Sequence, residues 1–407
     1  MGFFNKSPAP APAAPSKVIA QPAAKPAPVA ITGLGLACHA GEKSRSLISS
    51  ILGQMSGVEL SDTFKFKTGD GGAYTQARVA PVEAFGDTPE LERMYDLTTN
   101  ALSNAASQLS ANVSIESILI VISVAPEHIM HLLKIDPQYL QSYLVENIPR
   151  LSSATFRFLP NDANSSSSAL RSALDELNAD KWQTVIFGGA DSMISMNKCQ
   201  ELNDENRLNT LANSNGTIPG EAAAFVVLQR TDAAANNTSP ALAYISGLGV
   251  AAEPHAHEAD LHATEGLSSA ITQAITQAGI AAVDIEGVVH NLGAETVHVL
   301  EWSQTTKKIW PTRVNEQQRM AVQLGELEKA DTPDDPIPRA LQPYQTMGDT
   351  GAAALPMQLA TALAWIEYDA HQARWGFPVR KHLLVCDTPA AAERGALIIS
   401  KILTATT

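Results

Sequence analysis

Asn161-Asp162-Ala163-Asn164-Ser165-Ser166-Ser167-Ser168-Ala169-Leu170 is a run of small residues that gives way to a helical pattern, Ala169, Leu170, Ala173, Leu174 and Leu177. Such a turn exposes one side chain above the positive end of the helix that follows. A cysteine would be activated there. The candidate is instead Asn164, whose carboxamide has no atom basic enough to attack a carbonyl, and the serines after it need a base to do so. The stretch predicts a tight turn opening a buried helix, and it leaves the nucleophile of that turn in question.

Outward from this turn the chain shows one pattern twice. Ile31 to Gly35 and Ile245 to Gly249 each read as a strand with a Gly-x-Gly turn. Ile118 to Val124 and Val288 to His290 read as hydrophobic strands, and the small residues from Ser165 and from Gly351 each open a helix. Unbroken Val/Ile/Leu runs such as Ile118-Leu119-Ile120-Val121-Ile122 and Leu383-Leu384-Val385 predict sheet buried on both faces. The 407 residues, 45% hydrophobic, suit two similar halves of one α/β unit, 29–235 and 236–407, better than a string of small domains.

The landmarks follow a known order. Val29-Ala30-Ile31-Thr32-Gly33-Leu34-Gly35-Leu36, Gly41-Glu42 and Leu52-Gly53-Gln54-Met55-Ser56-Gly57-Val58 come first. Thr184-Val185-Ile186-Phe187-Gly188-Gly189-Ala190-Asp191, the run Pro219-Gly220-Glu221-Ala222-Ala223-Ala224, and Gly348-Asp349-Thr350-Gly351 come later. Over about residues 29 to 402 the chain resembles the β-ketoacyl synthases. That resemblance implies a thiolase-like five-layer α/β/α/β/α fold built from two similar halves. It also implies a cysteine that becomes acylated and two histidines that assist decarboxylation and stabilise the enolate.

Each of those three positions is altered. The family's cysteine turn falls on Asp162-Ala163-Asn164-Ser165-Ser166, which places Asn164 at the cysteine, or Ser165 after a slip of one. The first histidine falls on Asn291 by an ungapped count and on His290 with a one-residue gap. The second falls on Asp349 in Tyr344-Gln345-Thr346-Met347-Gly348-Asp349-Thr350, where a tyrosine also stands for the family's lysine. A glycine-rich loop expected near the C-terminus reads Asp387-Thr388-Pro389-Ala390-Ala391-Ala392-Glu393-Arg394-Gly395. A carboxylate at 349 opposes the negative charge that condensation develops.

The resemblance thus leads to a catalytically inactive structural, adaptor or partner subunit. It would act in a bacterial secretion or lipid/polyketide pathway, as a homodimer or paired with a ketosynthase-like chain, with an acyl carrier protein or a secretion-related protein as further partner. The alternative is a working acyltransferase using a serine-loop hydroxyl with His290 as base.

Composition narrows the partners. A net charge of −14 gives no cationic surface for nucleic acid. Prolines recur through the first 28 residues, which reads as a flexible extended arm rather than a core or an export signal. No stretch predicts a membrane span, and a cytoplasmic protein is expected. Cys38, Cys199 and Cys386 are odd in number and far apart, the pattern of reduced, packed thiols. His255, His257 and His262 stand among acids with no cysteine nearby and read as a solvated loop, so no metal is expected. His298 and Glu301, three apart on a helix, read as a surface pair. Gly33-x-Gly35 lacks the third glycine of a dinucleotide fingerprint, so no cofactor is expected either.

Overall fold

The computed structural model describes residues 27–67, 72–85, 90–160, 166–235, 240–253, 265–293, 295–311, 316–328, 337–389 and 392–401. The strands are β1 (Val29–Cys38), β2 (Glu59–Lys67), β3 (Tyr74–Val79), β4 (Ile118–Val124), β5 (Thr155–Pro160), β6 (Thr184–Ser192), β7 (Glu221–Arg230), β8 (Ala243–Ala252), β9 (Gly287–His290), β10 (Ala340–Leu341), β11 (His382–Asp387) and β12 (Glu393–Ser400). The α-helices are α1 (Ser44–Leu52), α2 (Glu90–Ser107), α3 (Glu127–Leu133), α4 (Pro137–Asn147), α5 (Ser166–Asn178), α6 (Met196–Asp204), α7 (Thr231–Ala235), α8 (Gly266–Ala278), α9 (Thr296–Ile309), α10 (Glu316–Gln323), α11 (Tyr344–Met347) and α12 (Ala354–Gln372).

Ten strands join in the order β10-β9-β11-β12-β8-β1-β7-β6-β4-β5, and β2 and β3 form a separate hairpin. The row is two equivalent halves. From its outer edge inward, β5-β4-β6-β7-β1 runs through two parallel and then two antiparallel pairings, and β10-β9-β11-β12-β8 repeats the sequence. Antiparallel pairing of β1 with β8, Val29 against Ile245 and Ile31 against Ala243, joins them.

Helices cover both faces. α5 and α12 each touch strands of both halves and form a shared central layer. α12 is buried nearly all round from Leu355 to Ile366, as its almost unbroken apolar sequence requires. One outer layer, with α2 and α4, packs Leu97, Leu102, Leu140 and Leu144 on one half-sheet. The other, with α8, packs Leu267, Ile271 and Ala274 on its counterpart. The chain is thus a layered mixed α/β protein of the class its sequence predicts.

The Gly-x-Gly pairs are not turns, contrary to the sequence reading. Gly35 lies inside β1 and Gly249 inside β8. A Cβ on Gly35 would stand 2.0 Å from the Ala101 carbonyl oxygen of α2, and one on Gly249 would stand 1.8 Å from the Ala270 oxygen of α8. These glycines let a helix lie directly on its strand. Cys38, Cys199 and Cys386 are buried free thiols, and burial pushes the Cys38 thiol up to about 12.

Candidate functional site

The first turn of α5 and the segment leading into α12 meet at a cavity of about 140 Å³. The ends of two equivalent strands reach it, Asp191 from β6 and Asp387 from β11. Their carboxylates cross over. Asp387 of the second half accepts the Ser167 amide (3.2 Å) and hydroxyl (2.7 Å) at the start of α5. Asp191 of the first half accepts the Ala352 amide (2.9 Å) ahead of α12.

Asp349 is held by backbone on both sides. Its N–H donates to the Ile218 oxygen and its own carbonyl accepts from Gly220 N–H, both at 2.8 Å. Its Oδ1 accepts from the Gly351 amide at 2.9 Å. Two consecutive amides, Gly351 and Ala352, are therefore bonded by two carboxylates of the chain itself. Gly351 has φ +52°, and a Cβ there would lie 2.1 Å from Asp191 Oδ2, so this position needs glycine for both its backbone and its space. Tyr344 accepts the Ile218 N–H on its hydroxyl at 2.8 Å.

Burial dominates the electrostatics. It pushes the Asp191 carboxyl up to about 6, against the opposing pull of the Ala352 amide and Lys198 and with help from Asp349. The Asp349 carboxyl is also pushed up by burial, which the Gly351 amide, Lys198 and His298 offset only in part. Burial thus works against the negative charge expected at 349. The Gly351 and Ala352 amides beside it are already engaged. Burial likewise raises Asp387, against its bonds to Ser167.

Across the cavity, burial would raise Glu295, but hydrogen bonds from His298 and Arg207 outweigh it and hold the carboxyl at about 2. Arg207 grips Glu295 with two bonds, Nε to Oε1 at 2.8 Å and Nη2 to Oε2 at 3.1 Å. His298 Nε2 stands 3.5 Å from Glu295 Oε2.

The expected positions divide. Asn291 and Asp349 line the cavity together. His290, one residue earlier on β9, is fully buried on the outer-layer side, its ring 4.7 Å from that of Trp302. Neither ring nitrogen has a hydrogen-bond partner among the described residues, and burial lowers it to about 4. It is not among the residues that line the cavity. Asn164 and Ser165 lie outside the described residues, as do His255, His257 and His262. Of the described serines at the start of α5, Ser166 donates to Ser123 Oγ at 3.3 Å and Ser167 to Asp387.

The surface pair read from the sequence is a misassignment. His298 lines the cavity. Glu301 is buried and pairs with Arg394 at 2.8 Å, both side chains 2% exposed. Spacing places two residues on one helix face without saying what covers that face. Asp191, Lys198, Arg207, Glu295 and Gln358 also went unrecognised as lining residues. For Asp191 a signal existed, an acid closing an otherwise apolar strand. For Arg207 and Glu295, 88 positions apart, none did.

Solved structures repeat this architecture. One is a type II polyketide ketosynthase bound to a hexaketide, in complex with its acyl-carrier protein, at TM-score 0.67 and 12% identity over 93% of this chain and all of that one. A second is an oxazolomycin ketosynthase domain from Streptomyces albus, at 0.68 and 13% over 94% and 75% of the two chains. A third is a β-ketoacyl synthase from Burkholderia phymatum, at 0.66 and 14% over 92% and 100%. This is the thiolase-like fold of the ketosynthases. No protein-family model and no curated protein sequence matches the chain. Within the ketosynthase fold, the cavity sits where the two central helices begin. No described helix is long and apolar enough to cross a membrane.

Proposed function

We propose that this ketosynthase-fold chain does not condense acyl groups and acts as a noncatalytic subunit that pairs with itself or with a related ketosynthase-like chain. One observation carries the reading: Asp349 and Asp191 bond the Gly351 and Ala352 amides, the donors at the head of α12 that would otherwise meet an oxyanion. The substitutions add to it. Asn164 offers no nucleophile, and Asn291 offers no titratable proton where the fold's relatives are expected to use histidine. A hydroxyl acyltransferase relying on His290 is disfavoured, because that ring faces Trp302 and burial keeps it neutral and enclosed. Pairing is supported by β5, which ends the ten-stranded row. A carrier protein is a further candidate partner, since one similar ketosynthase was solved with its own.

The test is intact-mass spectrometry of the purified chain after incubation with acyl-carrier and coenzyme A thioesters, alongside a condensation assay with a malonyl donor. We expect no covalent adduct and no ketoacyl product. A stable acyl adduct on the serine loop, or turnover free of host enzymes, would overturn the reading.

A further inference from the structure

The C-terminal end of α12 and the segment after it carry large aromatics on the surface. Trp375 and Phe377 are 64% and 61% exposed, and Tyr368 is exposed beside them in the chain. Aromatics left together at a surface mark interaction sites. Tyr368, Phe377 and Pro378 line a groove of about 640 Å³ with Glu286 and Arg339. Its floor is braced: the Arg380 guanidinium lies 4.3 Å over the Trp365 ring and donates to both Asp369 carboxylate oxygens, at 2.6 and 2.7 Å. The groove shares no lining residue with the cavity between α5 and α12.

An aromatic-walled groove suits a polyproline II segment, which arrives already extended and loses little entropy on docking. The chain supplies one. Residues 1–26 lie outside the described residues, and within them Pro8-Ala9-Pro10-Ala11-Pro12-Ala13-Ala14-Pro15 contains the pattern Pro12-x-x-Pro15. Lys6 and Lys17 flank it, and the first 28 residues hold no acid, on a chain whose net charge is −14.

The attachment point is within reach. In the sheet, Val29 stands level with Ile245, Ile245 and Leu383 with Ile399, and Leu383 with Gly287, so four strand spacings, about 19 Å, separate Val29 from Gly287. The Trp365 ring lies against Gly287, 2.9 Å from where a Cβ would stand, which sets the groove at that level. Extended at about 3.1 Å per residue, the chain from Ala27 back to Pro15 spans about 37 Å, and back to Pro22 only about 16 Å. Pro8–Pro15 therefore reaches the groove, and Pro22 falls short.

We propose that the groove beside Tyr368 and Phe377 binds the Pro8–Pro15 segment of its own chain. Tethering presents that segment at roughly millimolar effective concentration. The inference concerns a face away from the cavity and stands apart from the proposed loss of condensation.

Isothermal titration calorimetry with a synthetic peptide of residues 6–17 tests it on the full chain and on a full-length variant whose arm cannot compete, with Pro8→Gly, Pro10→Gly, Pro12→Gly and Pro15→Gly together. The variant is expected to bind one peptide per chain. The parent should bind it at least about tenfold more weakly, because its own arm holds the groove. A peptide carrying the same four glycines should bind neither protein. Adding Phe377→Ser to the variant should weaken the peptide about tenfold, and Tyr368→Ser decides the matter if Phe377→Ser fails to fold. No peptide binding to the variant overturns the proposal, as do equal affinities in parent and variant or an unchanged affinity after Phe377→Ser. Peptide affinity for the parent that rises on dilution of the protein assigns the groove to the arm of a second copy and overturns the own-chain assignment.

Discussion

His290 and Asp191 move stability in opposite directions with pH. The folded His290 has its pKa depressed to about 4 from 6.5, so its contribution is complete above pH 6.5 and is lost as pH falls toward 4. Asp191 is raised to about 6 from 3.8, so its contribution is complete below pH 3.8 and is lost as pH rises through 6. At pH 5 the histidine alone withholds about 2 kcal/mol, by linkage at 1.36 kcal/mol per unit. His290→Phe is therefore expected to keep more of its neutral-pH stability at pH 5 than the parent chain does, by about that amount in urea melts. Equal losses in the two proteins would show that His290 is not the acid-sensitive group. At this scale the sequence was partly legible. Asn291 and Asp349 were singled out and stand in one cavity, because local spacing to a glycine turn carries over into space. The partnership of Arg207 with Glu295 depends on how the segment after α6 meets the residue ahead of α9, which no local pattern encodes.

Among the described elements, β5 and the two-residue β10 end the ten-stranded row, and β5 is the longer of the two edges. It pairs only with β4 among the described residues, and exposed edges invite further strands. Phe156 and Phe158 stack on it, 6.2 Å apart, against the outer layer that holds α2 and α4. We expect a two-fold dimer through this edge. Phe158→Asp should give a folded monomer or an insoluble chain; a monomer for the parent protein at micromolar concentration in light scattering would rule the interface out. The strands themselves were legible wherever they are buried on both faces, as with Ile118–Val124 and Thr184–Ser192. The glycines of β1 and β8 misled because a glycine that admits a helix and a glycine that turns a chain look alike in sequence. Only the packing of α2 and α8 tells them apart.

For the whole molecule, repetition in the sequence was the most reliable guide. The same order of strand, strand, small-residue turn and helix appears in both halves and becomes the equivalent strand order of the sheet. What the repeat conceals is the exchange between its copies: Asp387 serves the helix of the first half and Asp191 the helix of the second. Taken alone, the first half lacks Asp387 for α5 and the second lacks Asp191 for the Ala352 amide ahead of α12, and each would also lose its neighbour across the β1–β8 seam. The protein is in this sense a natural candidate for fragment complementation. Cut between Ala235 and Pro240, the two pieces should stay unfolded when expressed apart and regain helical circular dichroism and a cooperative melt only when mixed. Independent folding of either piece would mean that the crossed carboxylates are ornament, and cooperative recovery would make them the latch of a split reporter whose signal requires both pieces to meet.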